Sequence, residues 1–331
     1  MYPDSFFKRP SLVKGTTFEE VLCMVLEVQN ITKIYKGPSK SKIVANDHLT
    51  FDIDKGEVFG LLGHNGAGKT TLVHQIMGTL KPTSGNITLH GKSVQKFPKR
   101  ARSLCSLQPQ SEFQLGFLTP AQAVSTMGKM RGGGKKEVKQ RMDMLFERLK
   151  IGKWVHTHGV KLSGGIRRLT VFCIAVIQPG NLVILDEPTN DVDPTRRRYL
   201  WDVIRELTSD GTSVILVTHN VIEAEKAVDR LAILHKGQFA AKGTVPEVKR
   251  KVSDQKRLEI NLSSIFDRHE DHDWSLSTHR SGANVIYSLD ESSVSTAIEW
   301  AETQLKQGKI LDYTLSPKTL EDVYVELTAT E

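Results

Sequence analysis

Gly63, Gly68, Lys69 and Thr70 stand at the spacing G-x-x-x-x-G-K-[ST]. That spacing handles phosphate. The glycines let backbone N–H groups turn inward around an anion, the lysine reaches the outer phosphates, and the hydroxyl can ligate Mg2+. Further along, Asp186 and Glu187 close the apolar run "LVILDE". Adjacent carboxylates at the end of a buried strand can divide the work: Asp186 for the Mg2+ shell, Glu187 to polarise an attacking water. His219 ends the apolar run "VILVT". That position suits either a packed or capped residue or a phosphate contact. A second glycine stretch, "LSGGI" at 162 to 166, is far from the first. Its residues alone allow two readings: Ser163 as a helix cap followed by flexible glycines, or Ser163, Gly164 and Gly165 as another anion cradle.

Such groups need elements that hold them. Residues 24 to 62 alternate apolar and polar positions and read as several strands, with turns at "YKGPSK" and "DIDKG". "EVFGLLG" is an apolar strand entering the first glycine loop, and "KTTLVHQIMGTL" is the helix leaving it. Strand, loop, helix is the context a phosphate loop requires. Residues 119 to 150 carry a helical pattern, with Val138, Met142, Leu145 and Leu149 on one face. "GNLVILDEP" and "TSVILVTHN" contain buried strands, and "TRRRYLWDVIREL" is a helix. Strands alternating with helices predict a parallel α/β core. After about residue 250, "RLEINL", "ANVIYSL" and "ILDYTL" read as strands, with helices at "SSVSTAIEWAETQL" and "TLEDVYVEL". The expected organisation is an N-terminal extension over 1–23, one large unit over 24–248 and a small α+β unit over 249–331.

Composition sets outer bounds. The 331 residues are 39% hydrophobic, within the globular range. No apolar run approaches the roughly 18 residues a membrane helix needs. Three cysteines, Cys23, Cys105 and Cys173, have no metal-ligand spacing and suit a reducing compartment. The net charge of +7 comes from 45 basic against 38 acidic residues. Its basic runs read as solvated helix faces, so nucleic acid is not an expected partner. "HTH" at 156–158 and "HEDHD" at 269–273 lack a third ligand in a structured setting.

Taken together and in order, these motifs resemble the ATP-binding subunit of an ABC transporter over residues 28 to 245. "GHNGAGKTT" is similar to the family's Walker A loop, which places Gly63, His64, Asn65, Gly66, Ala67, Gly68, Lys69, Thr70 and Thr71 around the nucleotide. Tyr35 resembles the aromatic that stacks on adenine. Gln110 resembles the Q-loop glutamine, a Mg2+ ligand beside Thr70 and Asp186, with Gln108 as a neighbouring candidate. "LVILDE" resembles Walker B, Asp193 the D-loop aspartate and His219 the switch histidine. The resemblance implies a P-loop cassette fold: a parallel-sheet core, an N-terminal antiparallel β subdomain and a helical subdomain. It implies ATP and Mg2+ as ligands, and Glu187, His219 and Lys69 as catalytic groups. It also assigns the second cradle: cassettes pair head to tail, and Ser163, Gly164 and Gly165 face nucleotide held by a second cassette.

The tail "SPKTLEDVYVELT" resembles ATPases of ABC-2-type exporters. The expected function is therefore an ATP-hydrolysing subunit, peripheral on the cytoplasmic face of a membrane and coupled to transmembrane permease subunits. An importer's ATPase, or a non-transport ATPase acting on nucleic acid or the ribosome, is the alternative. Two residues depart from the family pattern: Ile166, where a polar residue is usual, and Asp191, at a position that is usually small. Arg196 to Arg198 are the expected counter-charges for Asp191. The apolar segment with Phe113, Leu115, Phe117 and Leu118 is the expected docking surface for a membrane partner.

Overall fold

The computed structural model describes residues 24–38, 41–111, 115–252, 255–264 and 271–328. The expected extension over 1–23 and Phe113 lie outside them. The chain divides into two compact units between Lys242 and Gly243.

The core of the first unit is a six-stranded sheet. Its members are β3 (Val58–Leu62), β6 (Cys105–Gln108), β7 (Leu182–Asp186), β8 (Ser213–Thr218), β9 (Arg230–His235) and β10 (Gln238–Thr244), in the order β10-β9-β3-β8-β7-β6. From β9 to β6 every neighbouring pair is parallel. β3, β7 and β8 are buried at every residue, as strands covered on both faces must be, which is why they read as unbroken apolar runs. The order places β8 between β3 and β7. The C-terminal ends of these three strands therefore lie side by side, and they lead into Lys69, His219 and Glu187.

A second sheet packs on the same core. Its strands are β1 (Met24–Lys36), β2 (Lys42–Asp54), β4 (Ser84–Leu89) and β5 (Lys92–Ser93), antiparallel in the order β2-β1-β4-β5. Leu26, Ile53 and Ile87 from this sheet share one cluster with Leu61 and Ile215 from the parallel sheet and Leu72 from helix α1 (Lys69–Ile76). Helix α2 (Pro98–Leu104) leads into β6. Helices α3 (Pro120–Met130), α4 (Lys135–Arg148) and α5 (Gly164–Val176) form the helical part, and α6 (Pro194–Ser209) and α7 (Val221–Ala227) flank β8.

The helical pattern over 119 to 150 is not one helix. It breaks at Gly132–Gly134, where Gly132 takes φ 88 and a Cβ on Gly133 would stand 2.4 Å from the Gln178 side chain. The close approach lets Arg141 donate to Gln178 Oε1 at 2.7 Å. Thr119 and Gln122 form a reciprocal capping box that starts α3.

The second unit holds α8 (Val245–Val252), β11 (Lys256–Leu262), β12 (Ser277–Ser281), β13 (Asn284–Leu289), α9 (Val294–Lys306), β14 (Ile310–Pro317) and α10 (Leu320–Thr328). Its strands form an antiparallel sheet ordered β12-β13-β11-β14. Leu258, Ile260, Val285 and Tyr287 pack on Ala297 and Ala301 of α9. The expected boundary at 248/249 falls inside helix α8, which packs on α10 and groups whole with this unit.

One ion cluster ties the two sheets of the first unit. Arg230 donates to both oxygens of Glu57, at 2.6 and 2.9 Å, and to Asp52 Oδ2 at 2.9 Å. Glu57 is only 7% exposed, so it depends on this partner. We predict that Arg230→Met costs about 2 kcal/mol, read as a lower denaturant midpoint. Glu57→Gln added to Arg230→Met should recover part of the loss, because glutamine needs no counter-charge. An unchanged midpoint in the single variant would refute the dependence.

Candidate functional site

The glycine loop runs from β3 into α1 through left-handed backbone. Gly66 takes φ 86 and Gly68 φ 108. A Cβ on Gly68 would stand 2.1 Å from the Ala45 carbonyl oxygen, so β2 presses on the loop and only glycine fits. Asn46, fully buried, donates to the Gly68 carbonyl at 3.1 Å and accepts from Gln75 of α1 at 2.6 Å. Lys69 Nζ folds over the loop and donates to the carbonyls of Gly63, at 2.5 Å, and His64, at 3.0 Å. Burial pulls the Lys69 ammonium below the usual lysine range, against the pull of Glu187 and Asp186. His64, Asn65, Gly66 and Thr70 are exposed, Ala67 is buried, and Thr71 is half-buried.

The two carboxylates have different surroundings. Glu187 is 2% exposed and takes φ 52, a left-handed conformation uncommon outside glycine. Its side chain over-determines that position. Oε2 accepts from the Thr218 hydroxyl at 3.0 Å, and Oε1 accepts from the His219 backbone N–H at 2.9 Å and meets His219 Nδ1 at 2.6 Å. The His219 ring itself is more than half exposed. Asp186 is 5% exposed, and no side chain among the described residues donates to its carboxylate. Burial first, then neighbouring Glu187, push its carboxyl up to about 6, against Lys69 and Arg168. A buried carboxylate that no described side chain donates to, and the exposed Thr70 hydroxyl at the start of α1, are hard oxygen ligands that fit Mg2+.

Arg168 was not singled out in the sequence. It lies on α5, is 9% exposed, and donates to the backbone carbonyls of Asp186, Glu187, Pro109 and Gln110. Its signal in the sequence was weak: an arginine at the edge of an apolar helix run, beside a second arginine. Gln110 is exposed and lines a pocket with Gly164, Arg167 and Asp191. Gln108 is fully buried at the end of β6. Tyr35 is 38% exposed and pairs across the sheet with exposed Ile43.

Ser163 occupies the N-cap of α5, yet its hydroxyl makes no cap hydrogen bond and is exposed. The simple-cap reading therefore has no bond to support it. Ile166 is 5% exposed and points into the core, so the departure at this position leaves the polar end of the helix unchanged. Asp193 caps α6 through the Arg196 backbone N–H at 3.0 Å. Two of the three expected counter-charges are engaged elsewhere: Arg196 with Asp193, and Arg197 with Glu223, both at 2.6 Å. Asp191 instead takes φ 62 with its side chain beside Gly164.

The metal readings at 156–158 and 269–273 gain no support. No cluster of three ligating side chains occurs among the described residues, and His269 and Glu270 lie outside them. His158 Nδ1 meets the Phe117 carbonyl oxygen at 2.6 Å, and His272 stacks on Trp274. Cys105 and Cys173 are buried free thiols; burial pushes the Cys105 thiol up to about 12. No described helix is long and apolar enough to cross a membrane.

A phosphate loop against paired carboxylates, on a parallel core flanked by an antiparallel sheet, defines a P-loop ATPase of the ATP-binding-cassette class. Comparison with known proteins agrees. The ABC transporter family model matches residues 46–190. The chain is 30% identical over 312 residues to human ATP-binding cassette sub-family A member 2, covering 91% of this chain and 13% of that protein. It is 33% identical over 243 residues to the human retinal-specific phospholipid-transporting ATPase ABCA4, covering 73% and 11%. A solved ATP-binding subunit of an ABC transporter superposes with a TM-score of 0.62 at 26% identity, over 69% of this chain and 92% of that one. The dimeric MJ0796 cassette bound to ADP and Pi shares the fold, with a TM-score of 0.60 at 20% identity, over 66% and 98%. The chain carries an ATP-binding cassette domain of the ABC transporter kind. It spans only about an eighth of the length of the curated relatives it matches.

Asp186 generates a pH prediction. Its raised carboxyl keeps a proton in the folded chain that the unfolded chain has released between about 3.8 and about 6. Over that window the folded state binds more protons, so this group makes stability fall as pH rises. Asp186→Asn should remove the fall. The stability of the variant minus that of the wild type, from denaturant titrations without nucleotide, should rise by roughly 2 kcal/mol across the window. Parallel curves would mean that Asp186 titrates normally.

Proposed function

We propose that this cassette binds ATP with Mg2+ and hydrolyses it, and that two cassettes closing on nucleotide drive an ABC-2-type exporter. In this reading Tyr35 stacks on adenine, and residues 63 to 71 hold the phosphates. Thr70, Asp186 and Gln110 hold Mg2+, which supplies neutralisation of phosphate charge when bound. Lys69 exchanges its loop carbonyls for the outer phosphates. Glu187, fixed by Thr218 and His219, accepts the proton of the attacking water, and His219 reaches the γ-phosphate from the exposed side. The observation that carries the paired arrangement is Ser163: a helix N-cap with an exposed hydroxyl and no cap bond, next to two glycine N–H groups. The D-loop with Asp193 lies beside it.

The membrane context rests on resemblance. Relatives of this chain are named as phospholipid-transporting ATPases, and we extend to this protein export of a lipid or lipid-like amphiphile through transmembrane permease segments. The site of action is then the cytoplasmic face of a membrane. Phe117, 81% exposed, and Leu118, 49% exposed, support the docking surface, whereas Leu115 is buried and serves the core.

Glu187→Gln tests the hydrolytic role. It should keep ATP binding and lose turnover by roughly 10²–10⁴-fold, the scale of a general base. It should also elute as an ATP-stabilised dimer in size-exclusion with ATP and Mg2+. Near-normal turnover would remove Glu187 from the mechanism.

A mixing experiment tests the shared site. Lys69→Ala and Ser163→Arg homodimers should each be nearly inactive. A mixed dimer has one doubly damaged site and one intact site, so the mixture should regain ATP trapping. No gain despite demonstrated subunit exchange would point to a different cassette as the natural partner.

A further inference from the structure

Two amides are buried behind the glycine loop, where apolar side chains would be cheaper. Asn46 of β2 is fully buried, and Gln75 of α1 is 1% exposed beside the core residues Leu72 and Ile76. Gln75 Oε1 has no hydrogen-bond partner among the described residues. A buried amide left half satisfied costs stability, so packing alone does not account for the pair. Their bonds do. Gln75 Nε2 donates to the Thr71 carbonyl at 3.2 Å and to Asn46 Oδ1 at 2.6 Å. That fixes the Asn46 amide: Oδ1 faces Gln75, so Nδ2 faces the Gly68 carbonyl, to which it donates at 3.1 Å. The same carbonyl accepts from the Leu72 N–H at 3.0 Å. One peptide earlier, the Ala67 carbonyl accepts from the N–H of Gly237, in the turn between β9 and β10, at 3.2 Å. The Gly237 carbonyl in turn accepts from the Asp47 N–H at 2.8 Å.

Both anchors grip the carbonyl side of a peptide whose N–H belongs to the loop. In a planar trans peptide the C=O and the N–H point in opposite directions, and no described peptide bond is cis. Holding the Ala67 carbonyl therefore sets the Gly68 N–H, and holding the Gly68 carbonyl sets the Lys69 N–H. Neither N–H has an acceptor among the described residues. Asn46 also follows Ala45, whose carbonyl limits position 68 to glycine, so one stretch of β2 controls both the place and the direction of this peptide. Donors fixed before the ligand arrives bind it more tightly, because less order has to be imposed on binding. We propose that Asn46 is a positioning residue for nucleotide: with the Gly237 turn, it locks the Gly68 and Lys69 N–H groups in the direction that receives phosphate oxygens. Gln75 acts one step back, by orienting the Asn46 amide. The inference rests on the placing of residues 63 to 71 around the phosphates in the proposed function.

The test is calorimetric titration of the full chain with ADP and Mg2+, beside denaturant unfolding without nucleotide. Asn46→Val with Gln75→Met replaces both amides at once. No buried amide is then left unpaired, so the denaturant midpoint should stay at or above that of the wild type. The Kd for ADP should nevertheless rise roughly fivefold, the scale of one hydrogen bond. In steady-state ATP hydrolysis the loss should appear in KM more than in kcat, as when binding common to ground and transition states is removed. A pair that served the core alone would move the midpoint and leave the Kd where it was, and that result overturns the positioning role. Should the double variant not fold, Asn46→Thr, a good strand former, carries the same titration and the same expected rise. Lys69→Ala distinguishes this failure from failure of the loop assignment. If Lys69→Ala loses ADP while the Asn46 variant binds it like the wild type, only the positioning role falls. If Lys69→Ala binds ADP like the wild type, the loop does not hold the phosphates and both fall.

Discussion

Two carboxylates buried side by side at the end of one strand are the constraint around which the cassette is arranged. Asp186 and Glu187 are 5% and 2% exposed. Adjacent buried anions are expensive unless cations and donors face them. The fold supplies these from separate elements. α1 brings Lys69, β8 brings Thr218 and the His219 N–H, and α5 brings Arg168 to the carbonyls of the same two residues. The strand order β3-β8-β7 is what allows it, because β8 must lie next to β7 for the Glu187 backbone N–H to meet the Val217 carbonyl oxygen at 2.9 Å.

The same satisfaction of charge joins parts that are distant in sequence. Arg168 holds the end of β7 and also the carbonyls of Pro109 and Gln110, just after β6. A shift in the segment at Gln110 therefore changes the hydrogen bonds of the guanidinium that supports the Glu187 backbone. Arg168 begins only a few residues after Ser163, on the same helix. The segment at Gln110, the end of β7 and the second glycine stretch are thus joined through Arg168 and its helix.

The catalytic edge was legible because its requirements are local. A left-handed loop needs Gly66 and Gly68, a strand covered on both faces needs an apolar run, and such a run ending in two carboxylates has few bland explanations. What escaped the sequence is set by tertiary contact. Arg168 looks like any helix arginine until α5 docks on β7. β12 (STHRS) has no apolar alternation, because its burial pattern never reaches the core, and so no periodicity marked it. The break at Gly132–Gly134 is marked in the sequence by three consecutive glycines with no apolar residue between Met130 and Val138. Of the arginines expected to balance Asp191, Arg196 and Arg197 pair with Asp193 and Glu223. Ile166, unusual in sequence, is buried in the structure.

The two glycine cradles differ in what surrounds them, and the difference bears on why one chain carries both. The first has its own cation, Lys69, and its own carboxylates, so it can organise a magnesium-bearing polyphosphate within a single chain. The second offers an exposed hydroxyl and the N–H groups at the start of α5, with the Asp191 side chain beside Gly164 and Arg167 and Arg168 lining the same pocket. A bare anion arriving there meets the Asp191 carboxylate beside the partial positive charge of the helix. A nucleotide already neutralised by a lysine and a magnesium ion meets much less repulsion. Under the proposed reading, Asp191 therefore favours nucleotide delivered by a second cassette over free phosphate from solution.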